Sequence, residues 1–302
     1  MGRVIVMLVG RPLSDGYTGV CNRAGATILE EGANACFSKK QSVHLRGATP
    51  AVNVGISHAQ GSQEPHNLSH GAHSAMLQRL LANPDIQRIA GFTSSKLTPI
   101  AHRDIAKLHA LGALEHWNPK LYSYIKQVHL DVKGRVAVRS NFSNSVFPAA
   151  AFNFGPQVCC QPHRDSLNFA CGWCGIHPLG DFDPEKGGHL VLHELKLMIE
   201  FPPMSLILIP SAVLTHSNAA IRKGETRVSF TQYCPGGLFR WRDNGFRTQS
   251  ALAKASPELF EQMQAAKLKR WKEGLEMLPK WRDLEKKMQE SGQTVEAKAD
   301  DS

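Results

Sequence analysis

Two His-Arg-Asp tripeptides stand out, His102-Arg103-Asp104 in PIAHRDIAKL and His163-Arg164-Asp165 in CCQPHRDSLN. An imidazole and a carboxylate two residues apart can share a metal if the backbone is extended, because alternate side chains of a strand lie on one face. On a helix the same two side chains diverge by about 200° and cannot converge. The sequence after Asp104, IAKLHALGA, has helical spacing, whereas His163 ends a strand-like run and precedes a turn. Metal chemistry therefore falls to His163 and Asp165. A kinase reading of HRD would need a Gly-rich loop, a strand lysine and a DFG motif, and the chain has none of these.

A third ligand must come from a distant strand of the same core, as in the 2-His-1-carboxylate triad that leaves open positions on Fe(II). His216 qualifies, in the polar turn LTHSN after the apolar run MSLILIPS. Eleven residues later Arg227 and Ser229 share a face of the run TRVSF. A guanidinium fork beside a hydroxyl can hold a carboxylate. Asn153, in AAAFNFGPQ, sits on an expected inner strand, where its amide would either line that carboxylate pocket or be satisfied within the core.

The elements that must position these residues read as follows. Residues 3–9 predict a strand and 18–32 a helix. Residues 47–71 read as a long functional loop, and 72–83 and 98–112 have helical spacing. From 128 onward the runs VHLDVKGRVAVRS, FPAAAFNF, QVCCQPH, GGHLVLHELKLMIEF, MSLILIPS and TRVSFTQYC predict short strands separated by Gly and Pro. Together they predict an α+β chain with a double-stranded β-helix, or jelly-roll, core. The expected divisions are a mixed α/β region over 1–127, the catalytic core over 128–249, a helical region over 250–290 and a disordered tail over 291–302. Within the helical region, Ser256 and Pro257 open a helix, Pro279 breaks it, and an apolar stripe from Leu259 to Trp281 is expected to pack on the core.

The chain has 302 residues and a formal net charge of +9. Residues 1–130 hold thirteen Lys/Arg against seven Asp/Glu, and a short run adds Arg240, Arg242 and Arg247. That bias favours a polyanionic partner. The apolar opening is too short for a signal segment, and no stretch approaches a membrane span. Seven cysteines without such a signal read as reduced thiols. Zinc at Cys171-Gly-Trp-Cys174, with Cys160 and His177, is not expected from a single C-x2-C. His58, His66, His70 and His73 are too irregularly spaced to define a metal site. His189 and His193 share a strand face but lack the carboxylate two residues on.

The ordered set HRDSLN, GlyGly-x-Leu at 187–190, His216 and RVSFTQY resembles the Fe(II)/2-oxoglutarate-dependent dioxygenases. Within them it is most similar to the TET/JBP group of nucleic-acid base oxygenases, in particular the compact TET-like forms of basidiomycete mushrooms. The match covers roughly 130–247, and the flanking regions match loosely. The resemblance implies Fe(II) on His163, Asp165 and His216, and 2-oxoglutarate on Arg227, Ser229 and Asn153, with O2 as co-substrate. It further implies base contacts from Asn168 and a stacking ring from Tyr233. Arg164, Trp173 and Arg240 are candidate substrate contacts. The implied activity is oxidation of methylated bases in double-stranded DNA after base flipping, 5-methylcytosine to 5-hydroxymethylcytosine and further, by a monomer in the nucleus. Removal of the methyl group of N6-methyladenine is an alternative. So is an oxygenase of the same fold acting on a small molecule or protein side chain, or a binding module with a dead iron site. Two positions depart from the family pattern. Pro235 stands where TET enzymes carry a base-contacting His, and Met204 where the turn before MSLILIPS usually carries Gly.

Overall fold

The computed structural model describes residues 2–12, 14, 16–59, 61–94, 112–267 and 269–290. His102, Asp104, the helix expected over 98–112 and the tail expected over 291–302 lie outside the described residues, apart from Gly112.

Among the described residues, ten strands form two antiparallel sheets. The strands are β1 (Met7–Gly10), β2 (Ala51–Ser57), β3 (His66–Asn67), β4 (Ala149–Asn153), β5 (Cys174–Leu179), β6 (Leu190–Leu192), β7 (Leu197–Ile199), β8 (Leu206–Ile209), β9 (His216–Asn218) and β10 (Val228–Tyr233). The large sheet runs β1-β8-β5-β10-β4-β2-β3 and the small sheet β7-β6-β9. Alternation along each strand decides which side chains face which layer. In β8, Leu206 and Leu208 join a cluster with the helices, while Ile207 and Ile209 join Leu190 and Leu192 of the small sheet. In β10, Val228 and Phe230 face the helical side. Arg227, Ser229 and Tyr233 therefore turn to the opposite face, the one toward the small sheet.

The outer face of the large sheet is covered by α1 (Tyr17–Ala33), α3 (Ser74–Ala82), α4 (Pro84–Ser94) and α6 (Pro119–Lys133), with the short α2 (Lys39–Ser42) and α5 (Ala113–Trp117) at their margins. In α1, Val20, Cys21, Ala24 and Ile28 recur at helical spacing and are buried against Phe152, Phe154 and Phe230. After β10 come α7 (Gly236–Asp243), α8 (Gln249–Ala255), α9 (Pro257–Ala266), α10 (Arg270–Met277) and α11 (Trp281–Glu290). None of the described helices is long and apolar enough to cross a membrane.

Several expectations change. The run VHLDVK is the end of α6, not a strand: Val128 and Val132 are buried while Leu130 is exposed. A strand would put all three on one face, so the helical period decides. The long loop over 47–71 contains β2, which pairs residue for residue with β4 from Ala51–Asn153 to Gly55–Ala149. QVCCQPH is not a strand but makes isolated bridges, Gln157 with Arg227 and His163 with His216. The C-terminal stripe is not a continuous core face. Leu259, Trp271, Leu275 and Trp281 are exposed, Trp271 at 60%, because the segment breaks into four short helices; Leu252, Gly274, Leu278 and Leu284 are the buried ones among its described residues. Met204 has φ 71, and Ser205 N–H bonds Pro202 O across the turn. That is type II geometry with a side chain at the position that favours Gly.

His177 lies on the helix-facing side of β5, fully buried, with Nε2 2.7 Å from Thr93 Oγ1. Burial pushes its imidazolium down to about 3. The folded ring thus stays neutral while the unfolded ring takes a proton below about pH 6.5. Stability contributed by His177 is complete above that pH and is lost as the pH falls toward 3. Urea unfolding of His177→Gln should show a pH slope between 6 and 4 flatter by about 1.4 kcal/mol per pH unit than the parent. Equal slopes would remove His177 as the titrating group.

Candidate metal centre

The backbone bridge between His163 and His216 adds the 163 segment to the edge of the small sheet beside β9. His163 and Asp165 lie on an extended segment, and Asp165 N–H bonds Ser211 O at 2.9 Å. The three side chains converge: all ligand atoms lie within 4.8 Å of one another, the only such group of metal-binding type among the described residues. Asp165 spans the two rings, with Oδ1 3.8 Å from His163 Nε2 and Oδ2 4.0 Å from His216 Nε2.

Each imidazole is oriented by a carbonyl two residues before it. His163 Nδ1 is 2.7 Å from Gln161 O and His216 Nδ1 is 3.0 Å from Leu214 O. A carbonyl only accepts, so Nδ1 carries the proton in both rings and Nε2 presents a lone pair to the centre. Burial, reinforced by the adjacent His216 ring, lowers the pKa of His163, which favours that neutral ligand form. Two neutral imidazoles and one carboxylate on one side are the donor set of a non-haem Fe(II) centre. The residues fit Fe(II).

Arg227, at the start of β10, is 3% exposed. Its Nη1 donates to Val158 O at 3.1 Å, while Nε has no partner. Among the described residues no carboxylate pairs with it. Burial lowers its pKa, opposed by the nearby Cys160 and Cys159. Cys160 in turn experiences Arg227, Arg46 and Asp165, so these groups surround one small region. Ser229, two residues on and on the same face, accepts from Asn153 Nδ2 at 2.8 Å. A buried guanidinium beside a serine hydroxyl and without a counter-charge fits the carboxylate of an incoming dicarboxylate.

Tyr233 and Asn168 reach the same side through backbone stitching after the triad. Phe169 N–H bonds Cys234 O, Gly236 N–H bonds Leu167 O, and Asn168 bridges Pro235. Asn168 Nδ2 donates to Ser211 Oγ at 3.2 Å. Tyr233 is half-buried; burial pushes its hydroxyl up, Arg46 opposes that shift, and Asp165 adds to it. Gly237, at the first turn of α7, lies against His58 O with no room for a Cβ, which fixes where α7 leaves β10.

Other candidates sit elsewhere. Arg164 alternates to the opposite face from His163 and Asp165. It is engaged by Glu194 at 2.6 Å and Thr215 Oγ1 at 2.8 Å. Trp173 is fully buried among Leu206, Leu238 and Trp241, in the core rather than a channel. Arg240 lines a separate cavity of about 530 Å³ with His58, Gln63 and Thr248. Arg242 pairs with Asp131 at 2.6 Å. Cys174 bonds Ser211 while Cys171 lies against Gly274 of α10. Ser211 and the Gln161 and Leu214 carbonyls were missed by sequence reasoning. A carbonyl leaves no trace in residue type, and Ser211 becomes visible only through its contacts.

No family model and no curated protein sequence matches the chain. Among solved structures, NgTET1 in complex with 5mC DNA superposes with a TM-score of 0.50 and 14% identity, covering 78% of this chain and 74% of that one. OsALKBH1 gives a TM-score of 0.38 at 9% identity, over 77% of this chain and 99% of that one. A Pseudomonas putida prolyl-4-hydroxylase gives 0.35 at 10% identity, over 76% and 91%. The first of these establishes a shared fold.

Proposed function

We propose that this chain is an Fe(II)- and 2-oxoglutarate-dependent dioxygenase that oxidises methylated bases in DNA, with 5-methylcytosine to 5-hydroxymethylcytosine as the first step. The observation that carries the reading is Arg227, a buried guanidinium without a counter-charge on the strand face that leads to the triad. The two antiparallel sheets are read as a double-stranded β-helix, in keeping with the NgTET1 fold. NgTET1 was solved with 5mC DNA, which supports the substrate class here.

His163, Asp165 and His216 would hold the iron, and Arg227 with Ser229 would hold the far carboxylate of 2-oxoglutarate. Bound Fe(II) supplies O2 activation coupled to oxidative decarboxylation of 2-oxoglutarate to succinate and CO2. The chain contributes binding and orientation. Gln161 and Leu214 carbonyls keep each Nε2 unprotonated toward the centre. Ser211 steadies the Asn168 amide, which would read the polar edge of a base flipped from the duplex. Tyr233 would stack on it. Pro235 offers no side-chain donor at its position, which leaves N6-methyladenine as a second substrate to test. A nuclear monomer is part of the same reading.

Incubation with Fe(II), 2-oxoglutarate, ascorbate and methylated oligonucleotides, then nucleoside mass spectrometry, tests this directly. The expected product is 5-hydroxymethylcytosine; adenine plus formaldehyde from N6-methyladenine would favour the alternative. Unchanged methylated nucleosides, with 2-oxoglutarate consumed on a small molecule or peptide, would sink the DNA reading. Tyr233→Ala should lose about tenfold or more on DNA, one stacked base being worth about 1–3 kcal/mol, while its 2-oxoglutarate affinity is retained. Equal turnover of that variant would reject the stacking role.

A further inference from the structure

Arg46 belongs to a tight turn docked directly on the segment that delivers His163. His44 and Gly47 exchange both backbone hydrogen bonds across the turn, at 3.1 and 2.9 Å, and Gln161 N–H bonds Arg46 O at 2.7 Å. Gly47 has φ 137, and a Cβ there would meet the Cys159 carbonyl at 2.7 Å. The turn is therefore pressed against residues 159–161 in a conformation that a side chain at 47 would strain. Its crown protrudes: Leu45 is 94% exposed and Val43 is also exposed. Leu167, two residues after Asp165 in the HRDSLN turn, is 79% exposed. Two projecting leucines thus stand on the segments that flank the triad ligands in the chain or dock on them.

Next to Leu45 on the same turn is a cation. The Arg46 backbone is used in the turn, but its guanidinium makes no hydrogen bond or ion pair among the described residues. The nearby Arg164, by contrast, is paired with Glu194, as Arg222 is with Glu225. The positive charge of Arg46 reaches Tyr233, where it is the first influence after burial, as well as Cys160 and His163. A half-buried, unpaired guanidinium close enough to influence Tyr233, on a turn bonded to the His163 segment, is complementary to an anion on the substrate itself. The 2-oxoglutarate carboxylate already has Arg227, deeper in the fold.

We propose that Arg46 binds a backbone phosphate next to the target base, and that this contact makes a polynucleotide, rather than a free base or nucleoside, the preferred substrate. The proposal rests on the DNA-base reading of the site. It is tested on the full chain with Fe(II) and 2-oxoglutarate without oxygen, by fluorescence anisotropy of a labelled 5-methylcytosine oligonucleotide over a salt series.

Arg46→Ala should bind about tenfold more weakly, as for a lost charge-assisted hydrogen bond. The slope of log K against log salt should fall by about one. Arg46→Lys should restore the slope. A neutral methylphosphonate at the phosphate flanking the methylated base should weaken the parent by a similar factor and leave Arg46→Ala without further loss. Metal content and 2-oxoglutarate affinity report that the variants are folded. An Arg46→Ala variant with the parental salt slope, or one that loses 2-oxoglutarate affinity instead, overturns the proposal while the DNA reading stands. A parent chain that binds no oligonucleotide at any salt concentration overturns both.

Discussion

Asp165→Ala should abolish oxidation coupled to 2-oxoglutarate. Its carboxylate is the only anionic donor in the cluster and lies within 4.0 Å of both imidazole Nε2 atoms. Loss of groups that merely orient a ligand costs about 10–100-fold in metal affinity or activity, so loss of a ligand should exceed a hundredfold. Two neutral imidazoles that remain cannot offset the charge of Fe(II). The fold should survive, because Asp165 ties the backbone through its N–H to Ser211 O and its carbonyl, which accepts from Asn168 N–H, and alanine keeps both. Metal content after desalting and 2-oxoglutarate consumption are the two readings. Full activity with bound iron would move the ligand role to another group.

Arg227→Met should have opposite effects on stability and on function. In the free chain the guanidinium is 3% exposed, with one backbone carbonyl as its hydrogen-bond partner and Nε unpaired. Burying a charge without a partner costs several kcal/mol, and replacing it with an apolar side chain of similar volume often stabilises a protein by about 1–4 kcal/mol. The free variant should therefore melt at a higher temperature than the parent. Its affinity for 2-oxoglutarate should fall by about a hundredfold or more, since a bidentate charge-assisted pair is removed. In the parent, 2-oxoglutarate at a hundred times its Kd should add about 2.7 kcal/mol of stability, and the variant should lose that response. A parental 2-oxoglutarate affinity in Arg227→Met would contradict the anion-site assignment.

The candidate metal donors that the fold brings together were legible because a shared metal demands particular residue types at particular spacing. His-x-Asp on extended chain, a later His after an apolar strand, and Arg-x-Ser on the next run each carry their chemistry in local sequence. The runs that became β4, β6, β8 and β10 were legible from their apolar and β-branched residues, whereas β9, which carries His216, was read as a polar turn.

Where several periods fit one run, local reading failed. VHLDVK alternates like a strand, yet Leu121, Ile125, Val128 and Val132 line one face of α6. AVNVGIS alternates correctly as well, but Gly, Ser and His on either side disguised β2 as loop. CGIHPL contains Pro178, which argues against a central strand, and still lies between β8 and β10 as β5. Its partners supply the burial that its own composition does not advertise.

By itself, then, the sequence determined which atoms are available: two imidazoles, a carboxylate, a guanidinium and the alternation that groups them by face. Tertiary structure alone decided their state. Registry between segments far apart in the chain brings His163 to His216, and carbonyls at Gln161 and Leu214 choose their tautomers. It also buries Arg227 without a counter-charge and docks the Arg46 turn on Gln161 from more than a hundred residues earlier. Distance, burial and protonation depend on what the rest of the chain places around a residue, and no local pattern encodes that.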